Sequence, residues 1–157
     1  MTATIVYDQT TLWRGGFGKR DAVDDPAGGP PRASDLVRVA SISKVFTDVL
    51  LYALRDAGVV GLDDDVADYV KGFETKHYGD TKEVVTLGAL ASHLSGLPRE
   101  IPAADFTSAD DPEADVLAAL STTYPVLPPN RRFHYSNLGV GLLGRAPRPR
   151  GNRPNRA

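Results

Sequence analysis

Residues 38–57 read Arg38-Val39-Ala40-Ser41-Ile42-Ser43-Lys44-Val45-Phe46-Thr47 and then DVLLYALRDA. The spacing predicts a helix over Ser41–Ala57, with Gly58 well placed as its C′ residue. Val45, Val49 and Tyr52 would line one face, and Phe46, Leu50, Ala53 and Leu54 the neighbouring one. So wide an apolar arc predicts a helix buried on most sides. Ser41 and Lys44 stand three residues apart at its start, on one face and one turn from each other. A hydroxyl is a weak nucleophile until a base takes its proton. A lysine with a depressed pKa can serve, or can hold a neighbouring base in its anionic form. The helix N-terminus favours developing negative charge, and its free N–H groups can meet an oxyanion. Ser-x-x-Lys alone is equally an ordinary helix start with a surface lysine.

Upstream, Thr4–Tyr7 and Thr11–Phe17 are rich in β-branched and aromatic residues and predict a β-hairpin, with a bulge or close backbone approach near Gly15, Gly16 and Gly18. Asp24–Ser34 (DDPAGGPPRAS) reads as a loop. Downstream, Gly61-Leu62-Asp63-Asp64-Asp65 turns the chain into a short segment ending near Val70. The three aspartates lack the alternation and glycine of a calcium loop and read as turn residues. Thr86 can cap a helix over Leu87–Leu94, stopped by Ser95-Gly96-Leu97-Pro98. Asp111-Pro112 starts another through Val116, Leu117 and Leu120; 125–132 is a loop, and a last helix opens at Asn137. A hairpin followed by several helices points to an α+β or α/β chain, not to all-α.

The chain has 157 residues, 18 basic and 20 acidic, and no cysteine, which excludes disulfides and thiolate chemistry. No apolar run approaches the roughly 20 residues that cross a bilayer. Residues 145–157 (RAPRPRGNRPNRA) hold five arginines and no acid; the other 13 basic residues face all 20 acids. Such a Pro/Arg-rich stretch is expected to be a disordered tail after a body over 1–144. It reads either as a non-native end or as an arm for nucleic acid or an acidic surface; with a near-neutral total of -2, nucleic acid is not an expected partner. No signal peptide is visible at the start, which reads as cytoplasmic if that start is genuine.

Phe133-His134-Tyr135-Ser136-Asn137 is the second chemical element. A tyrosine two residues before an asparagine, at the opening of a helix, can project both into one cleft, and a phenolate beside an ammonium is a credible base. The bland alternative is a core tyrosine and a capping asparagine. Together with Ser-x-x-Lys, and in this order, the segment resembles the serine β-lactamase and penicillin-binding-protein superfamily. WRGGFG at 13–18, RVASISKVFT at 38–47, GLDDDVADYV at 61–70, TLGALASHLSGLP at 86–98 and LPPNRRFHYSN at 127–137 are similar to class C-type β-lactamase-related proteins. The resemblance covers Thr4–Gly144. It implies an α+β fold of the β-lactamase/transpeptidase type, a helical region beside an antiparallel sheet that is incomplete here. It implies Ser41 as acylated nucleophile, Lys44 as its activating partner, Tyr135 as general base and Asn137 as the residue that binds the substrate amide. It implies acyl transfer on a small-molecule or peptide substrate, with no metal and no cofactor.

The same resemblance implies a later strand bearing Lys-Thr-Gly or His-x-Gly, yet only 20 residues follow Asn137. His77-Tyr78-Gly79 matches in letters but precedes Tyr135, and reads as coincidence. The chain is therefore expected to be the N-terminal part of such a domain, either a hydrolase or an inactive fragment or pseudoenzyme that binds. A Ser-His-Asp triad or a zinc site through His77, His93 and His134 lacks the motif spacing either needs. His93 is expected to pack or hydrogen-bond on its short helix, and His134 to line the cleft.

Overall fold

A computed structural model describes residues 1–20, 28–81, 83–101 and 112–146. They fall into two compact units, Met1–Ala40 and Ser41–Ala157. In the first unit, β1 (Thr2–Tyr7) and β2 (Thr10–Gly16) pair antiparallel, with Thr4 opposite Arg14 and Tyr7 opposite Thr10. The two-residue turn puts Asp8 and Gln9 at φ 45° and 60°, the left-handed pair whose twist matches a hairpin. The register slips between Ile5 and Val6, which face Trp13 and Thr11, so the extra residue is Leu12 of β2 and the irregularity is not at the glycines. Gly16 supplies the close approach: a Cβ there would stand 1.9 Å from the Pro31 carbonyl oxygen. Of the expected loop, residues 24–27 lie outside the described residues.

A 3₁₀ turn, Ala40–Ile42, leads into α1 (Ser43–Asp56) of the second unit. The helix proper thus starts two residues later than expected, and Ser41 sits on the turn before it. Its end is a Schellman motif: Gly58 N–H donates to Arg55 O at 2.9 Å and Val59 N–H to Leu54 O at 2.9 Å, with Gly58 at φ 71°. The expected burial on most sides is not found. Leu51 is buried and Leu54 packs on the core, but Val45, Phe46 and Val49 are 57, 72 and 62% exposed. The arc carries more apolar surface than the described core can cover, and the core meets only one edge of it.

Thr86 caps α2 (Leu87–Ala91), its Oγ1 accepting from Ala89 N–H at 3.1 Å. This helix is shorter than expected because His93 turns left-handed, φ 58°. Leu94 N–H then donates back to Ala89 O at 2.8 Å, a second Schellman closure with His93 where glycine is usual. α3 (Pro112–Ser121) buries Val116 and Leu120; Asp111, its expected cap, lies outside the described residues. α4 (Asn137–Leu143) is capped by Ser136, not Asn137: Ser136 Oγ accepts from Gly139 N–H at 2.8 Å. Arg145 and Ala146 continue from α4, and Ala146 is buried; residues 147–157 of the expected tail lie outside the described residues.

Leu51, Val66, Leu87, Leu90, Leu97, Leu120, Leu142 and Leu143 form the centre of the core. Among the described residues no helix is long and apolar enough to cross a membrane. Leu90 is fully buried and lies against Gly139 of α4, where a Cβ would stand 3.5 Å from its Cδ2. Leu90→Ala is therefore expected to cost about 2–5 kcal/mol in denaturant unfolding. A loss below about 1 kcal/mol would show that this contact between α2 and α4 is not the centre of the unit.

Candidate active site

Two segments hold each other beside the N-terminal end of α4. The backbone of 93–99 takes hydrogen bonds from that of 126–138: Asn130 N–H to Leu94 O at 2.8 Å, His134 N–H to His93 O at 2.9 Å, and Asn137 N–H to Arg99 O at 3.0 Å. Ser136, 1% exposed, adds a side-chain tie by donating from Oγ to Pro98 O at 2.7 Å. These ties fix the short stretch that carries Tyr135 and Asn137.

Tyr135 reaches the turn before α1. Its hydroxyl donates to Ser41 Oγ at 2.6 Å, and Lys44 Nζ donates to the same oxygen at 3.2 Å. Ser41 is exposed and Lys44 and Tyr135 are half-buried, so the hydroxyl is open to a reactant. Ile42 stands at the N-cap of α1 and gives no side-chain cap to it. The structure thus brings together three of the four residues singled out in the sequence. The fourth, Asn137, donates through Nδ2 to Glu100 Oε1 and makes no hydrogen bond to the other three among the described residues. It lines a cavity of about 300 Å3 with Glu100, Val116, Leu138, Leu142 and Arg145.

The charge around Tyr135 is one-signed. Lys44 Nζ stands 5.1 Å from the ring centroid and Arg99 Cζ 4.9 Å. Hydrogen bonding to Lys44, then to Ser41, holds the phenol below its ordinary value of 10.0; the Lys44 and Arg99 charges act the same way, and burial opposes them. A phenol so placed releases its proton more easily and can then accept one from Ser41.

Four residues near this centre were not assigned to it from the sequence. Arg99 and Glu100 follow the SGLP stop and had no motif to mark them. His93 leaves the end of α2: its Nδ1 accepts from Ser136 N–H at 3.1 Å and its ring lies 4.4 Å from that of Tyr135. It was expected to pack or hydrogen-bond on its helix; it does both, but from the left-handed position beyond it. Asp48 follows Lys44 by one turn of α1, and its Oδ1 is buried with no partner among the described residues. Burial raises the Asp48 pKa above 3.8 and the nearby His93 partly opposes this. A raised folded-state pKa stabilises below the unfolded value, and that contribution is lost as pH rises through the folded one. Asp48→Asn is therefore expected to raise Tm more at pH 7 than at pH 4. Equal shifts at both would remove the buried charge as the cause.

The remaining candidates lie apart. His77 lines a cavity of about 230 Å3 with Glu74, Lys76 and Glu83. His134 is half-buried, and its backbone, not its ring, is what ties it to His93. Asp64 accepts from Gly61 N–H at 2.8 Å and from the Tyr69 hydroxyl, and Asp65 from Ala67 N–H at 2.9 Å, so both serve the turn. Among the described residues no group of three His, Asp or Glu side chains could hold a metal.

The Beta-lactamase family model matches residues 1–156. The chain is 39% identical over 149 residues to Beta-lactamase-like protein 2 of Dictyostelium discoideum, covering 91% of this chain and 27% of that protein. It is 31% identical over 141 residues to Protein flp of Staphylococcus aureus, covering 89% of this chain and 28% of that one. Among solved structures, the β-lactamase/D-alanine carboxypeptidase from Yersinia pestis is similar at a TM-score of 0.68 and 31% identity, over 87% of this chain and 39% of that one. The octameric penicillin-binding protein homologue from Pyrococcus abyssi gives 0.67 and 26%, over 91% and 34%. The chain thus spans little more than a quarter of the length of these curated relatives.

Proposed function

The chain belongs to the beta-lactamase family, and from that premise we propose that it is a serine hydrolase working by acyl transfer through Ser41. The observation that carries this reading is the pair of hydrogen bonds on one exposed hydroxyl, from Tyr135 at 2.6 Å and Lys44 at 3.2 Å. With Tyr135 ionised, the Ser41 proton passes to the phenolate as Oγ bonds to the substrate carbonyl carbon. The carbonyl electron pair moves onto oxygen, where backbone N–H groups near the start of α1 can meet that charge. Collapse breaks the bond to the leaving nitrogen or oxygen, which takes the proton from Tyr135 and leaves an acyl-Ser41. Water then gives a proton to Tyr135 as its oxygen bonds to the acyl carbon; collapse breaks the bond to Ser41 Oγ, which takes that proton back from Tyr135, and the acid leaves. Lys44 keeps Tyr135 anionic at the start of each half-reaction. Asn137 would accept a substrate amide N–H through Oδ1, since Nδ2 is engaged by Glu100. The substrate class is a β-lactam, a peptide or an ester, and the reading uses no metal or cofactor.

The test is covalent labelling of the whole chain with a fluorescent penicillin and, separately, a fluorophosphonate, followed by intact mass and peptide mapping. An adduct on Ser41 is the expected result. A folded chain that neither reagent labels, or an adduct on another residue, overturns it.

A second reading has one observation of its own. The exposed Val45, Phe46 and Val49 on α1 suit a non-catalytic domain that binds through this face. It requires strong binding of an apolar-surface dye, displaced when Phe46 is changed to Glu. Cooperative unfolding without dye binding counts against it.

A further inference from the structure

We propose that His93 is a positioning residue for Tyr135, its unprotonated Nδ1 holding the Ser136 amide while its ring supports the tyrosine ring. The inference rests on the acyl-transfer reading for its catalytic meaning but on separate geometry for its substance. His93 occupies the C′ position of α2 with φ 58°, where glycine is the unstrained choice. A histidine held there against the backbone's preference implies that the side chain is used.

Three contacts show for what. The Ser136 N–H can donate to Nδ1 at 3.1 Å only if that nitrogen keeps its lone pair, so the proton of the neutral ring sits on Nε2. The ring lies 4.4 Å from Tyr135, at 32°, on the residue immediately before the captured amide. Phe133 closes the other direction, edge-on at 5.4 Å. One imidazole therefore fixes both the main chain after Tyr135 and the ring itself. Its backbone adds the bond from His134 N–H to His93 O at 2.9 Å.

The charged groups that act on it, Lys44 and Asp48, both belong to α1, while Tyr135, which precedes α4, meets its ring. Burial, then Lys44, lower the His93 pKa from 6.5, and Asp48 opposes them. The neutral, accepting form is thus the one present at neutral pH. Protonation would remove the lone pair that Ser136 uses and add a cation near Lys44.

Imidazole ¹⁵N spectra of the whole chain, with Tyr135 followed by ¹³Cζ labelling, test this without requiring turnover. Wild type is expected to show an unprotonated Nδ1 at pH 7, and the Ser136 amide to shift as His93 protonates below 6.5. His93→Ala should move the Tyr135 titration up towards 10.0 and slow Ser41 acylation by about 10²-fold, the scale of a small misplacement. His93→Asn tolerates the left-handed backbone and can put an acceptor where Nδ1 was, so it should recover most of both. A protonated Nδ1, a Tyr135 titration unmoved in His93→Ala, or an asparagine variant no better than the alanine one overturns the proposal. Should His93→Ala not fold, the wild-type tautomer and the asparagine titration still decide it. A wild type that reagents fail to acylate brings down the acyl-transfer reading, and leaves the tautomer and Tyr135 titration to judge His93.

Discussion

Ser41→Ala is expected to leave no covalent adduct with either a penicillin or a fluorophosphonate, and to lose any turnover by on the order of 10⁶-fold, the scale seen when a serine nucleophile is removed. The size follows from geometry. Ser41 Oγ is the one atom on which Tyr135 and Lys44 both converge. Deleting it removes the nucleophile and leaves the base and the cation with nothing between them. The fold should not change. Ser41 is exposed, lies on the turn before α1 and is no part of the core. Unfolding free energies of variant and wild type should agree within about 0.5 kcal/mol. Labelling that persists in the alanine variant would move the nucleophile elsewhere and with it the whole reading.

The sequence carried the local devices of this fold well and its surroundings poorly. Thr86 as a cap and Gly58 as a C′ residue are decided by short-range hydrogen bonding, and both appear where the residue types required them. The meeting of Ser41 with Tyr135 joins residues 94 positions apart. Neither motif implies it alone; only the resemblance paired them. The burial of α1 failed for the opposite reason. Apolar periodicity reports what a helix could bury, not what is there to bury it, and Phe46 stays 72% exposed. His93 was legible as a histidine on a short helix. Its left-handed φ was not, because the glycine that normally signals a Schellman closure is absent and only the tertiary contact with Ser136 explains its place. Asn137 and Ser136 show a one-residue ambiguity of the same kind. Both are good capping types, and the buried contact to Pro98 selects the serine.

The pH profile of Ser41 acylation separates the work of Tyr135 from that of Lys44. Tyr135 is held below 10.0 first by its hydrogen bond with Lys44. A base with a lowered pKa is in its active form above that value, so acylation should rise with pH as Tyr135 ionises and then level off. Lys44→Met removes that hydrogen bond and one of the two nearby cations, leaving Arg99, 4.9 Å from the ring centroid, as the other. The phenol then returns towards its ordinary value, and the rising limb should move to higher pH. At pH 7 the rate should fall by about 10²–10⁴-fold, the usual worth of a positioned base, with part of the loss regained in alkaline buffer. Tyr135→Phe should lose a similar factor at pH 7 but regain nothing on raising the pH, because it has no proton to give up. The two variants thus differ in shape where they agree in size. A Lys44→Met limb that stays in place would mean that Lys44 does not set the ionisation of the base; a limb that disappears would mean that Lys44 itself takes the Ser41 proton, and that Tyr135 serves to orient the hydroxyl.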